Sequence, residues 1–234
     1  MAATELGFAD RAAYLPAADA LVLSDLHLGK AHASSVDFPL NEGTEMTDRL
    51  SALLDRFDPE TVVFAGDVLH TFTTVPVPAR DALDGLTDLV TDRADLVLVR
   101  GNHDTQLDRV TDLPVHDSYR LPDGTVVCHG HEEPDAIGER VPRYVVGHDH
   151  PTIDIEGRTY PCFLYGPGVH RGSDVLVLPS FTTLAAGMTV NRMRGSDFQT
   201  PFVATPDGFH PIVRDETGDE TLRFPPLGEF RRLL

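Results

Sequence analysis

Ala20-Leu21-Val22-Leu23-Ser24-Asp25-Leu26-His27-Leu28-Gly29-Lys30 runs a short apolar stretch straight into an Asp-x-His pair. An apolar run of this length reads as a buried strand, and polar residues directly after it read as the rim of an α/β sheet. The arrangement recurs downstream. Thr61–Ala65 leads into Gly66-Asp67 and Asp95–Val99 into Gly101-Asn102-His103-Asp104; residues 125–128 lead into His129-Gly130-His131 and residues 144–146 into Gly147-His148-Asp149-His150. Ligand sites of α/β sheets collect at the carboxyl ends of strands, and glycines there let the chain turn sharply. Five strand ends are therefore expected to converge on one pocket.

Between the strands the period changes. Met46, Leu50, Leu53, Leu54 and Phe57 recur at helical spacing and predict a helix over Glu42–Phe57; Leu83, Leu86 and Val90 predict a second over residues 80–90. Beyond Leu107, Pro and Gly become denser, and residues 115–121, 152–155, 160–164 and 175–178 read as further strands with few helices between them. The expected class is α/β, as a single domain over residues 1–234 without internal repeats. The tail from about residue 196 has no readable periodicity.

With 234 residues, 41% hydrophobic and 24% charged, the chain has the composition of a globular protein, unlike a disordered or fibrous one. No apolar run approaches the roughly 18 residues of a membrane span. The opening Met1-Ala2-Ala3-Thr4-Glu5 lacks the basic and apolar regions of a secretory signal, so a cytoplasmic protein away from membranes is expected. Acidic residues outnumber basic ones, 37 against 19, for a net charge of −18, and Lys30 is the only lysine. Such a surface stays hydrated where salt screens repulsion to about 3 Å at 1 M, which reads as halophilic. It argues against a long Lys- and Arg-lined nucleic-acid groove, because binding by counterion release weakens steeply with salt. Any phosphate must be recognised locally. Cys128 and Cys162 fit neither a disulfide framework nor a zinc knuckle and are expected as buried thiols.

In extended backbone, residues i and i+2 point the same way, so Asp25 with His27 and His148 with His150 are each expected to form a chelating pair. The donor types at these strand ends are imidazole, carboxylate and an amide oxygen. They suit Mn²⁺ first, with Fe²⁺ or Zn²⁺ as alternatives, rather than a closed structural zinc site. Two divalent ions with Asp25 and Asp67 would leave about +2 of charge for a phosphate, and a metal pair activates water for in-line attack on phosphorus. Singly, each motif also reads as a loop with side-chain-to-backbone hydrogen bonds; order and strand context point to metal. His32, His116, His170 and His210 match no motif and are expected at the surface or satisfied within the fold. Cys128 precedes His129 on a strand and should face the other way.

In this order the motifs resemble the calcineurin-like metallophosphoesterase superfamily, whose signature is D-x-H, G-D-x-x-[DH], G-N-H-[DE], H and G-H-x-H. The match runs from Asp25 to His150. The text from Leu23 to Lys30, with Leu178-Pro179-Ser180-Phe181, is similar to the SbcD-related archaeal phosphoesterases and the ligase-associated PdeM branch, over about residues 20–187. The resemblance implies two packed mixed β-sheets flanked by helices, a four-layer αββα sandwich. It implies two divalent ions, with Asp25, His27 and His150 joining Asp67 at one, and Asn102, His129 and His148 joining Asp67 at the other. It also implies that His103 gives a proton to the leaving oxygen or stabilises its charge, with Asp104 orienting the ring. His70 stands where many members have Asp; a histidine there can still hydrogen-bond behind the ligands, and its role is open. His131 is expected behind the ligands or on substrate. Lys30 is expected on substrate phosphate or at the surface.

The reaction class that follows is dinuclear metal-dependent hydrolysis of phosphodiesters, with DNA or RNA in repair or turnover as the leading substrate. The alternative is a small-molecule phosphatase or cyclic-nucleotide phosphodiesterase, favoured by the acidic composition and the absence of tryptophan. Arg140, Arg143, Arg171, Arg192 and Arg194 decide between them: lining the metal cleft would favour a polymer, scattering would not. A non-enzymatic scaffold is a third reading, opposed by the presence of every expected ligand. The chain has no G-x-x-x-x-G-K-[ST] loop, so an ATPase or helicase partner would be a separate chain. Oligomeric state is unreadable, although apolar residues from Phe224 to Leu234 could cover a groove or a dimer contact.

Overall fold

The apolar runs that precede the motifs become the inner strands of two packed sheets. In the computed structural model, which describes residues 6–30, 42–70, 74–135 and 140–232, the first sheet has six strands. In order these are β1 (Gly7–Ala9), β2 (Ala12–Leu15), β3 (Ala20–Leu23), β4 (Thr61–Ala65), β5 (Asp95–Val99) and β6 (Val115–His116). β3 to β6 run parallel, and β1 and β2 add an antiparallel hairpin at one edge. The crossovers carry α1 (Glu42–Phe57) and α2 (Val77–Thr91). Met46, Leu50 and Leu54 of α1 and Leu83, Leu86 and Val90 of α2 meet Leu21, Leu23, Val62 and Phe64 of the sheet. Strand alternation sends Ala20, Val22, Val63 and Val97 the other way, into the core between the sheets.

The second sheet contains β7 (Ser118–Arg120), β8 (Val126–Cys128), β9 (Arg143–Val146), β12 (Phe163–His170), β13 (Ser173–Val177), β15 (His210–Asp215) and β16 (Glu220–Arg223). Their order is β16-β15-β12-β13-β9-β8-β7, with β8, β9 and β13 parallel. Val127, Val145, Phe163 and Leu176 face the first sheet. On the other face lie a small sheet of β10 (Pro151–Ile155), β11 (Arg158–Pro161) and β14 (Met188–Thr189), several 3-10 turns and the four-residue α3 (Leu227–Phe230). Phe198, Phe202, Phe209 and Phe230 fill this last layer. Two mixed sheets between a helical layer and this thinner one make the mixed α/β fold.

Local patterning misses the points where the chain changes partner. Residues 115–121 divide at Asp117 into β6 and β7, handing the chain from the first sheet to the second, and residues 160–164 divide at Cys162 between β11 and β12. α2 begins at Val77 rather than residue 80, since Pro76 caps it and Pro78 is tolerated in its first turn. The β1–β2 hairpin and the tail hairpin β15–β16 have strands too short or too mixed in polarity to be read from periodicity.

Candidate active site

The motif-bearing loops are tied to one another by backbone hydrogen bonds. Asp25 N donates to Gly66 O (3.0 Å), His27 N to Asp67 O (2.8 Å) and Gly147 N to His129 O (2.9 Å). Ser24 Oγ donates to Ala65 O at 2.8 Å. Gly66, at φ 87°, lets the chain pass so close to His129 that a Cβ would lie 2.5 Å from its Nδ1, and a Cβ on Gly101 would collide with Asp67.

The chelating pairs converge by a route other than strand alternation. β3 ends at Leu23 and β9 at Val146, and the residues beyond are left-handed: Asp25 (φ 60°), His27 (51°), Asp67 (49°), His148 (73°) and His150 (46°). Each such non-glycine residue costs on the order of 1–3 kcal/mol and persists only where surrounding structure imposes it. Five of the twelve left-handed non-glycine positions among the described residues lie where these polar side chains meet.

They meet in two groups, one around His27 and His150 and one around His129, with the Asp25 and Asp67 carboxylates between them. In the first, His27 Nε2 and His150 Nε2 face each other at 3.3 Å. His150 Nε2 lies 3.0 Å from Asp25 Oδ1, and His27 Nε2 lies 3.9 Å from Asp67 Oδ2. In the second, His129 Nε2 is 3.1 Å from Asn102 Oδ1, 3.2 Å from His148 Nδ1 and 3.4 Å from Asp67 Oδ1. Asp25, His27 and His150 each offer a ligand atom within 4.8 Å of one another, as do Asp25, Asp67 and His129. Asp25 Oδ1 is fully buried and faces His150 Nε2 at 3.0 Å without good hydrogen-bond alignment, an arrangement that a cation bound by both would satisfy. The fit to two metal ions is good: carboxylate and imidazole donors converge with one Asp67 oxygen on each side.

Further contacts lie behind the candidate ligands. His129 Nδ1 donates to Ala65 O (3.2 Å), which leaves Nε2 for a metal. His27 Nδ1 faces His70 Nδ1 at 3.4 Å, so His70 stands behind a ligand. Asp25 Oδ2 accepts from His148 N at 3.1 Å. His103 N donates to Asp67 Oδ1 (2.9 Å), its Nε2 lies 3.9 Å from Asp67 Oδ2, and its partly exposed ring stacks on His70. His131 lies beside His129 and His148, with ring centroids 5.4 and 6.2 Å away. Lys30 is half-buried near His27 and His70.

Asp104 is fully buried. Its buried carboxylate accepts from Leu69 N (2.8 Å), Gly101 N (2.8 Å) and Val68 N (3.2 Å). It therefore joins the Gly66-Asp67 loop to the Gly101-Asn102-His103 loop through the backbone. Asp104→Ala is expected to destabilise the fold by about 3 kcal/mol in urea unfolding, because it strands backbone amides that now bind a carboxylate.

Sequence reasoning also passed over Asp149, Ser180 and Arg11. Asp149, between two candidate ligands, accepts from Gln199 N (2.9 Å) and Thr200 N (3.2 Å) and so fastens the tail to the site. Ser180 Oγ donates to Asp25 O at 2.9 Å. Asp149 alone had a signal, a carboxylate inside a motif. Of the remaining histidines, His116 packs on Tyr119, His170 on Phe202, and His210 Nδ1 bonds Phe224 O; His32 lies outside the described residues. Cys128 points into the outer core, away from the sheet interface, and burial pushes its thiol up to about 12.

Burial would raise the pKa of Asp25, but the facing His150, His129 and His27 bring it well below the usual carboxylate range. Asp67 is likewise lowered, since its contact with His129 outweighs burial. Burial holds His27 down near 3 and His148 near 4, so both are neutral imidazoles at neutral pH, free to offer a lone pair. His129 goes the other way: burial opposes its charge, but Asp67 and Asp25 raise it to about 9. In the metal-free protein this pairing stabilises fully below pH 6.5 and is lost as pH rises through about 9. Metal loading at neutral pH is therefore expected to release close to one proton, with affinity rising toward pH 9. Calorimetry in two buffers of different ionisation enthalpy measures that proton; identical heats would contradict it.

Two mixed sheets whose strand ends bring buried carboxylates between two imidazole clusters define a protein built to hold divalent metal. The profile of the calcineurin-like phosphoesterase family matches residues 19–177, and the chain belongs to that family. Among solved structures it is similar to nuclease MPE of Pseudomonas putida, with 26% identity, 87% of this chain and 88% of that one covered, and a TM-score of 0.59. Another similar structure is YfcE, a phosphoesterase from E. coli, with 14% identity, 87% and 97% of the chains covered, and a TM-score of 0.46. No curated protein matches the sequence. Among the described residues no helix is long and apolar enough to cross a membrane.

Proposed function

We propose that the chain is a dinuclear phosphodiesterase, using Mn²⁺ ahead of Fe²⁺ or Zn²⁺, that cleaves DNA or RNA in repair or turnover. The observation that carries it is Asp67, with Oδ1 turned to His129 and Oδ2 to His27. Asp25, His27, Asp67 and His150 would hold one ion, and Asp67, Asn102, His129 and His148 the other. When bound, such ions neutralise phosphate oxygens and activate water. His103, beside Asp67 and open to solvent on one side, gives a proton to the leaving oxygen. His70 orients His27 from behind, and Lys30 meets a phosphate oxygen of the substrate. Similarity to the P. putida nuclease over most of both chains supports the choice of nucleic acid.

A specific observation favours the small-molecule reading. Arg143 is buried, Arg171 pairs with Glu133 (2.9 Å), and Arg192 lies with Asp154 and Glu156. Among the described residues the cavity of about 650 Å³ beside His129 is lined by none of these five arginines; Arg100 is there, paired with Asp108 and Asp117, and Asp117, Glu132, Glu133 and Asp135 also line it. Because the acidic surface suits high salt, the deciding assay uses Mn²⁺-loaded protein in molar KCl with bis-p-nitrophenyl phosphate, p-nitrophenyl phosphate and single-stranded DNA. Cleavage of the diester and DNA is the expected result. Monoester or small-diester hydrolysis with intact DNA would move the assignment to a small-molecule phosphoesterase.

A further inference from the structure

The β1–β2 hairpin lies outside the matched family segment, residues 19–177, yet one of its side chains reaches the loop that packs on the Asp25 backbone. Its turn is Asp10-Arg11, closed by the Ala9–Ala12 pair, with φ 37° and 66°. A turn with two left-handed residues favours Asn and Gly, so arginine gains nothing there from its backbone. Its side chain is what the position uses. Arg11 Nη1 donates to Ser180 O (3.1 Å) and Thr182 O (2.7 Å).

Those residues wrap the backbone that carries the first candidate ligand. Ser180 Oγ and Thr182 N both donate to Asp25 O, at 2.9 and 3.2 Å, and Phe181 N donates to Ser24 O at 2.8 Å. Arg49 of α1 braces the same unit, binding Asp10 at 2.6 and 3.0 Å and lying 4.2 Å over the Phe181 ring. Arg11, Ser180 and His150 line one cavity of about 250 Å³. The left-handed turn of Asp25, which aims its carboxylate at His150, is thus held by contacts that begin at Arg11.

We infer that Arg11 is a positioning residue for the metal centre: by clamping the Ser180–Thr182 loop onto the Asp25 backbone, it sets where the Asp25 carboxylate stands. The inference rests on Asp25 being a metal ligand. The hairpin and the Ser180–Thr182 loop, both beyond the matched segment, are on this account parts of the site rather than trim.

Mn²⁺ titrations of the full chain followed by electron paramagnetic resonance, with thermal melts alongside, test it. Arg11→Met keeps the apolar stem and removes both hydrogen bonds; it is expected to weaken Mn²⁺ binding about tenfold, as loss of contacts behind a ligand does. Millimolar guanidinium ion is expected to restore part of that affinity. Arg11→Lys, which keeps the charge, carries the same comparison with a smaller loss if Arg11→Met does not fold. Wild-type affinity in a folded variant, whatever its melting temperature, would overturn the role of Arg11 alone. A wild-type chain that binds no Mn²⁺ would overturn the metal site and the inference together.

Discussion

Asp67→Asn is expected to abolish tight binding of both metal ions and to lower kcat/KM for bis-p-nitrophenyl phosphate by at least about 10³-fold, the equivalent of the several kcal/mol a metal pair contributes. The reason is positional. Asp67 is the residue whose two oxygens face different clusters, Oδ1 at 3.4 Å from His129 Nε2 and Oδ2 at 3.9 Å from His27 Nε2. His27 belongs to one of the two groups only, so His27→Asn is expected to weaken one ion and spare the other. Asp67 Oδ1 also accepts from His103 N, and its main-chain oxygen accepts from His27 N. Asparagine keeps the volume and an acceptor, which makes the variant a test of charge and bridging rather than of folding. Metal stoichiometry by mass spectrometry and a circular dichroism melt separate the two.

His103→Ala is expected to leave both ions bound and to lower kcat by about 10²–10⁴-fold, the usual range for a positioned proton donor. The ring is placed for that work: Nε2 is 3.9 Å from Asp67 Oδ2, and the ring lies parallel to His70 with centroids 5.2 Å apart. The loss should be greater for a nucleotide diester, whose leaving alkoxide needs the proton, than for a p-nitrophenyl ester. A uniform loss across leaving groups would instead make His103 a binder of phosphate charge. Because Asp104 holds two loops through their backbone amides, Asp104→Ala should show its loss first in stability.

Much of the site was legible because the chemistry sits at strand ends. Apolar runs marked β3, β4, β5, β8 and β9, and the polar residues directly after them are those brought together at the rim. The two long helices were readable from their buried stripes. What escaped was whatever depends on a partner distant in sequence. Asp25 and His27 converge through left-handed backbone, which residue type does not announce. Arg11 acts on residues about 170 positions away, as the separation from Ser180 and Thr182 shows. Asp149 binds the tail, and Asp104 binds two loops, so each is a carboxylate whose backbone partners no spacing rule could name. The tail itself is held by aromatic packing under the second sheet, a pattern without a period.

Anomalous diffraction from crystals grown with Mn²⁺ tests the central claim most directly. The expected result is two peaks flanking the Asp67 carboxylate, one among Asp25, His27 and His150 and the other among Asn102, His129 and His148. A single peak, or peaks away from Asp67, would contradict a dinuclear centre bridged by this residue.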